Sequence, residues 1–537
     1  MRNSLAVALA GAIAITGMPA QAATPALPTA TPIQHLVVIF NENISFDHYF
    51  GTYPNAMNLP GEPVFTAAPG TPSSNNYIQT PSLLTANPNF MNTTGNGTAA
   101  LNPFRLGPGQ ARTADQSHSY KPEQMSFHGG LMDLFPSSVG VAGPPPNTPA
   151  QAATKGLTMA YYDGNTVTAF WNYAQHFAMS DNSFNTVFGP STPGAINLIS
   201  GQTNGISAML NGSSNLVADG NGNFSLFGDD DPLGDVCSTT TGTTVSFAGK
   251  NIGDLLNGIG ASWGWFQGGF NLSATNPNGT TGCNRSSSSA IVPAAKDYVP
   301  HHAPFQFYAS TANLQHTRPT SILTIGKPGD AANHQYDTAD FYTAVQTGNM
   351  PAVSFLKPPA FQNGHAGNSD PLDEQTFMVQ IINFLQTRPE WASTAVVIAY
   401  DDSDGWYDHV AAPTVNGSST VQDALNGTGI CGTGAVTGAT ALPGVNPATL
   451  HAQGRCGYGP RLPLVVISPY AKVNFIDHTL TDQTSILRFI EDNWLGGTRI
   501  GGGSFDAIAG PINNMFDFSA PHASKLMLDA TTGVVLP

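Results

Sequence analysis

Apolar residues in this chain gather in short runs, and two of the runs end in acids and amides. The plainest case is residues 395–399, a β-branched run that breaks into Asp401, Asp402, Ser403, Asp404 and Gly405. Such a run reads as a strand buried on both faces of a parallel sheet. Residues 33–40, 262–270, 351–357 and 462–470 follow the same pattern and are read as further strands. Helical spacing marks residues 167–179, 251–257, 373–386 and 481–495, the last with Asp482 where a first turn favours negative charge. The succession 351–357, 373–386, 395–399 is a β-loop-α-β unit, which crosses over right-handed in a parallel sheet. These elements predict an α/β protein with a mostly parallel central sheet.

Between them, Gly-, Pro-, Asn- and Thr-rich stretches near 52–112, 203–250, 272–289 and 410–454 read as loop insertions. They interrupt one catalytic domain spanning 33–520, and residues 521–537 form a tail. Arg2, the apolar run 5–15 and Ala20-Gln21-Ala22 make residues 1–22 a cleaved secretory signal, followed by a Pro/Ala/Thr linker at 23–32. No other run approaches the roughly 18 apolar residues of a membrane span. The expectation is therefore a secreted or periplasmic protein with no transmembrane anchor. Lys and Arg number 18 against 34 Asp and Glu, a net charge of −16 that disfavours nucleic acid or an anionic membrane as main partner. The cysteines form two sequence-local couples, predicting Cys237–Cys283 and Cys431–Cys456 disulfides away from the site. A zinc site of four thiolates is the alternative, and it lacks any C-x-x-C pair.

The chemistry-bearing residues sit where the apolar runs stop. Ligands of open α/β sheets bind outside the carboxyl ends of the strands. Glu42 and Asn43 follow one strand there, and Asp401 and Asp402 follow another. Adjacent carboxylates repel, so a cation accounts for them unless they form a solvated acidic turn. Ser191, in FGPSTPG, is placed at a helix start, either as an N-cap or as a nucleophile favoured by free N–H groups. His118, the pair His301 and His302, and His365 lie in loops after other elements. Acids, imidazoles and one serine so distributed suit metal-assisted phosphoryl or sulfuryl transfer.

The stretches ENISFDHYFG, DQSHSY, FGPSTPG, DYVPHHAPFQFY, GHAG, AYDDSDGWYDH and GYGPRLPLVVISPYAK resemble the bacterial acid phosphatase/phospholipase C phosphoesterase family, its secreted acid phosphatases most of all. The resemblance runs from about Ile33 to about Phe518. It implies an alkaline-phosphatase-like α/β sandwich and one divalent metal ion. It implies metal ligands at Glu42, Asn43, Ser191, Asp401 and Asp402, and phosphate-binding imidazoles at His118, His301, His302 and His365. It further implies that Ser191 attacks a phosphate ester in line and forms a phosphoserine, with one of those imidazoles protonating the leaving alkoxide. One departure is Ile44, which stands where members carry Arg.

Three other readings remain at this point. A phospholipase C of the same family would carry a Thr nucleophile followed by Asn-Arg in its phosphocholine-directed branch, where this chain reads GPSTPGAIN. A sulfatase would need Arg where Ala195 stands. A secreted binding module would explain the loops but not the acids and imidazoles after so many strand ends.

Overall fold

Each apolar run becomes a strand of one sheet; the run 395–399 lengthens by one residue at each end, to Thr394–Tyr400, and the other strands are a little shorter than their runs. Eight strands make up this sheet in the computed structural model, which describes residues 27–78, 82–144, 149–424, 431, 453–522 and 525–537. The expected signal segment, residues 23–26 of the linker and most of the 410–454 insertion lie outside the described residues. In chain order the strands are β1 (His35–Asn41), β2 (Ala178–Ser180), β3 (Trp263–Gln267), β4 (Gln335–Asp337), β5 (Val353–Lys357), β6 (Thr394–Tyr400), β7 (Leu464–Ile467) and β8 (Phe475–Asp477). Across the sheet they lie β4-β3-β5-β1-β6-β7-β2-β8. Pairs are parallel except at β7, which is antiparallel to both β6 and β2. The chain leaves β6 and re-enters as β7 at the same edge, so no crossover is needed and the direction reverses. The α/β sandwich with a mostly parallel sheet expected from the sequence is present.

Every residue of β6 is buried. Successive side chains point to opposite faces, so both faces of the sheet are covered there. Each buried Val or Ile side chain of that run contributes about 1.5–3 kcal/mol. The cover is helical, and α1 (Tyr120–Phe127), α2 (Thr168–His176), α3 (Ser191–Ser200), α4 (Thr338–Gln346), α5 (Pro371–Gln386) and α6 (Thr484–Trp494) are the helices of eight or more residues among those described. α3 packs on α6, and α5 on α2. The helix expected over 167–179 stops at His176, because the apolar residues that follow pair in the sheet as β2. A short apolar tail suits helix or strand equally, and tertiary pairing decides.

Register places the site. Asn41 of β1 lies beside Tyr400 of β6, so the next residues, Glu42 and Asp401, emerge together at the carboxyl edge. On the other side Ile39 pairs with Leu356, which brings Lys357 to the level of Phe40. From α5, Glu374 fixes these strand ends, accepting hydrogen bonds from Asn41 Nδ2 (2.6 Å), Tyr400 (2.6 Å) and Tyr49 (2.7 Å). Burial pushes its carboxyl up to about 8 against those three donors. Both expected disulfides are formed. Among the described residues no helix is long and apolar enough to cross a membrane.

Candidate functional site

Asp401, Asp402, Ser403 and Asp404 are all fully buried, which removes the solvated-turn reading. The turn is folded on its own backbone. Asp401 Oδ1 accepts from the Asp402 N–H at 2.9 Å, and Asp402 Oδ1 from the Asp404 N–H at 2.7 Å. Asp404 takes the left-handed region at φ 54°, which Asp tolerates better than most residues. Ser403 Oγ donates to Glu123 Oε1 of α1 at 2.7 Å, while Glu123 Oε2 accepts from the Gly189 N–H at 2.8 Å. One carboxyl therefore joins the acidic turn to the bend that leads into α3.

Ser191 is the first residue of α3 rather than its cap, and Pro190 holds the cap position. Of the first helical donors, Pro193 has no N–H, and both the Thr192 N–H (2.9 Å) and its hydroxyl (2.8 Å) donate to Asp229 Oδ1. The helix dipole is thus met in part by a protein carboxylate. α3 lies so close to β6 that a Cβ on Gly194 would run into the Asp401 carbonyl. The Ser191 hydroxyl consequently faces the acids, 3.1 Å from Asp402 Oδ2, 3.4 Å from Asn43 Oδ1 and 3.5 Å from Glu42 Oε2.

Asn43, at φ 61°, turns one end of its amide into this group, 3.2 Å from both Glu42 Oε2 and Asp401 Oδ1. Its other end meets His365 Nε2 at 3.2 Å. With the oxygen inward, that amide meets two carboxylates and the Ser191 hydroxyl, a crowding of acceptors that a cation would relieve; with the nitrogen inward, it hydrogen-bonds both carboxylates. Burial and neighbouring Glu42 push Asp401 up to about 6, with Lys357 and His302 opposing. Burial likewise drives Asp402 far upward against His118, with Asp401 and Glu123 adding to the rise. An all-oxygen set of three carboxylates, an amide and a hydroxyl fits a hard divalent ion such as Mg²⁺, Ca²⁺ or Mn²⁺.

The imidazoles divide by their partners. His118 Nδ1 is held by the Gln116 carbonyl (2.8 Å) and Asp404 (3.0 Å). Burial lowers its pKa, but Asp402, Asp404 and Asp115 outweigh that and raise it well above the usual value. His365 stands edge-on to it at 5.9 Å. Asp115, His118, His365 and Asp404 bring ligand-type atoms within 4.8 Å, with His118 Nδ1 already engaged by the Gln116 carbonyl and Asp404. His302 Nδ1 lies 2.7 Å from Glu42 Oε1, and burial with the charges of His301 and Lys357 lowers its pKa. His301 is turned away, its Nδ1 3.4 Å from Asp231, and it packs against His302 at 4.4 Å. Burial lowers it, but Asp231 and Asp229 raise it further. Of the nine residues singled out in the sequence, the structure brings eight together and turns His301 away.

Sequence reasoning missed Lys357, Glu123 and Asp229. Lys357 Nζ pairs with Glu42 Oε1 and, at 3.2 Å, with Asp401 Oδ2. Its signal was a single Lys closing an apolar strand; that of Asp229 was an acid triplet inside an expected insertion. The second disulfide also departs from expectation. The Phe188 N–H donates to the Cys456 carbonyl at 3.0 Å, and Tyr120 accepts from the Cys456 N–H at 2.9 Å, next to the Ser191 bend. Ile44 lies buried in the core. A cavity of about 590 Å³ opens from Pro190, His118 and His365 toward Lys121, Asn215 and Gln422.

The model of the phosphoesterase family matches residues 33–495. A non-hemolytic phospholipase C of Burkholderia pseudomallei is 24% identical over 530 residues, 95% of this chain and 62% of that protein. The chain thus spans less than two thirds of that relative. Phospholipase C A of Mycobacterium tuberculosis (strain H37Rv) is 23% identical over 92% of this chain and 79% of its own length. Among solved structures, a protein in the alkaline phosphatase superfamily from Vibrio parahaemolyticus covers 80% of this chain and 84% of its own, at 11% identity and a TM-score of 0.28.

Proposed function

The chain belongs to the phosphoesterase family, and from that premise we propose that it is a secreted, metal-dependent phosphomonoesterase that works through a phosphoserine at Ser191. The observation that carries this reading is the Ser191 hydroxyl, aimed from a helix start at Asp402, Asn43 and Glu42 within 3.1–3.5 Å. Glu42, Asn43, Asp401, Asp402 and Ser191 would hold one divalent ion, which when bound supplies charge stabilisation at phosphorus and favours the serine alkoxide. Asp402 Oδ2 accepts the Ser191 proton's hydrogen bond and orients Oγ for in-line attack. Attack passes the Ser191 proton to Asp402 Oδ2, forms the Oγ–P bond and breaks the bond to the leaving alkoxide. His118 protonates that alkoxide, because Asp404 and the Gln116 carbonyl hold its Nδ1 and its ring lines the cavity. Water, losing its proton to His118, then attacks phosphorus and breaks the Oγ–P bond, and Asp402 returns the proton to Ser191 Oγ. Neutral His302 and the second imidazole, His365, orient phosphate oxygens.

The cavity lining favours a small polar alcohol over diacylglycerol. Asp115, Ser117, Ser119, Lys121, Asn215 and Gln422 offer it hydrogen-bond partners, beside Tyr120, Pro122, Pro190 and Phe227. The second reading is a phospholipase C, favoured by the names of the relatives. Hydrolysis of an aryl phosphate monoester against phosphatidylcholine vesicles, each with divalent metal supplied, tests it. Turnover of the vesicles alone would replace the first reading with the second.

A further inference from the structure

We propose that Lys357 fills a second cation position in this site and keeps a further divalent ion out of it. The inference rests on the reading that Glu42, Asn43, Asp401 and Asp402 hold an ion. Two carboxylates each face two ways. Glu42 Oε1 and Asp401 Oδ2 meet the Lys357 ammonium, whereas Glu42 Oε2 and Asp401 Oδ1 meet the Asn43 amide. Each therefore bridges the ammonium on one side and the group around Ser191 on the other, as carboxylates do between paired cations. Lys357 ends β5 with a side chain only 1% exposed, its ammonium 4.9 Å from the Phe40 ring centroid. Lys is almost never so buried without a partner, and both of its partners here belong to the proposed ion. Glu42, Asp401 and Asp402 against one ammonium leave two negative charges, the complement of one divalent ion. His302 closes the remaining approach to Glu42 Oε1 at 2.7 Å.

The test counts ions. Full-length protein is stripped of metal, loaded with Mn²⁺ and examined by native mass spectrometry with elemental analysis. Wild type carries one ion and Lys357→Gln carries two at saturation, because the bridging oxygens recruit a second. Lys357→Arg keeps the charge and returns to one. Two ions in wild type or in Lys357→Arg, or one or none in folded Lys357→Gln, overturn the proposal. No ion in wild type overturns the metal reading beneath it, and the proposal with it. If Lys357→Gln does not fold without metal, refolding titrated with Mn²⁺ gives the count. Two equivalents then support the proposal, and a single equivalent or no recovery overturns it.

Discussion

Two buried acidic clusters are built from the same stretches of chain, and they are opposites. ENISFDHYFG supplies Glu42 to one and Asp47 to the other, and AYDDSDGWYDH supplies Asp401 and Asp402 to one and Asp408 and His409 to the other. In the second cluster Arg461 reaches Asp47 at 3.0 Å and Asp408 at 3.1 Å, and it donates to the carbonyls of Asn75 and Asp181 at 2.8 Å. His409 donates to Asp47 Oδ2, and Asp408 Oδ2 accepts from the Asp47 N–H. Its cation is part of the chain and its lone pairs are met. Around Ser191 the carboxylates outnumber Lys357, and their remaining oxygens face a hydroxyl and the Asn43 amide. Buried charge alone does not mark a site. Buried acids that outnumber their cation and converge on one serine hydroxyl are the distinguishing feature here.

The largest expected break in this symmetry is Ser191→Ala. It should lower kcat/KM for an aryl phosphate by at least about 10³-fold, the scale of removing a covalent nucleophile. Its thermal midpoint and ion count should stay near wild type. A variant keeping roughly a tenth of the activity would reduce Ser191 to a helix residue.

How far the sequence shows this contrast depends on the link concerned. Strand ends are legible, because β-branched runs stop abruptly at Glu42 and Asp401. Pairing Glu42 with Asp401 is not, since it follows from the register of β1 on β6, which apolar patterning does not encode. Nor does it encode direction, and β7 reads like its parallel neighbours although it runs against them. The motif ENISFDHYFG gives no hint that Ser45 caps the short helix Phe46–Phe50 and so carries Asp47 away from Glu42. Lys357 escaped because a Lys ending a strand ordinarily snorkels to water. Asp229 escaped because loop composition conceals a carboxylate that caps α3.

Arg461→Met should be the next largest change, and one of stability. It leaves Asp47 and Asp408 buried without their cation, a loss of about 3–5 kcal/mol in chemical denaturation. Ion count in the folded fraction should not change. A variant as stable as wild type would mean that the two clusters do not differ as described.

Metal should separate them more finely. Binding to the folded form alone raises stability by about 2.7 kcal/mol at a hundredfold excess over Kd. The thermal midpoint should therefore climb with Mn²⁺ and fall with chelator. Asp401→Asn and Asp402→Asn should abolish that climb. Asp408→Asn, although destabilised, should retain it. An equal climb in all three would place the ion elsewhere.

The smallest effect concerns His118 and pH. Burial lowers its pKa, and Asp402, Asp404 and Asp115 raise it well above the usual ~6.5. The imidazolium is then present at acid and neutral pH and is lost as pH rises through the raised value. If it delivers the leaving-group proton, the alkaline limb of kcat/KM lies above ~6.5. Asp404→Asn removes one of the raising charges, and Asn accepts the φ of 54° at that position. The Asp402 carboxylate keeps its bond from the backbone N–H of residue 404, so the turn should hold. The limb should move toward acid, while the plateau on its acid side changes by less than about tenfold, or roughly 1.4 kcal/mol. Asp408→Asn, in the other cluster, should leave the limb where it was. The measurement is kcat/KM for an aryl phosphate from about pH 4 to about pH 10 in all three proteins. A limb that does not move in Asp404→Asn takes the acid role from His118. A wild-type curve still climbing at roughly pH 9 takes it from every imidazole in the site, because the rate would then follow a group that has lost its proton.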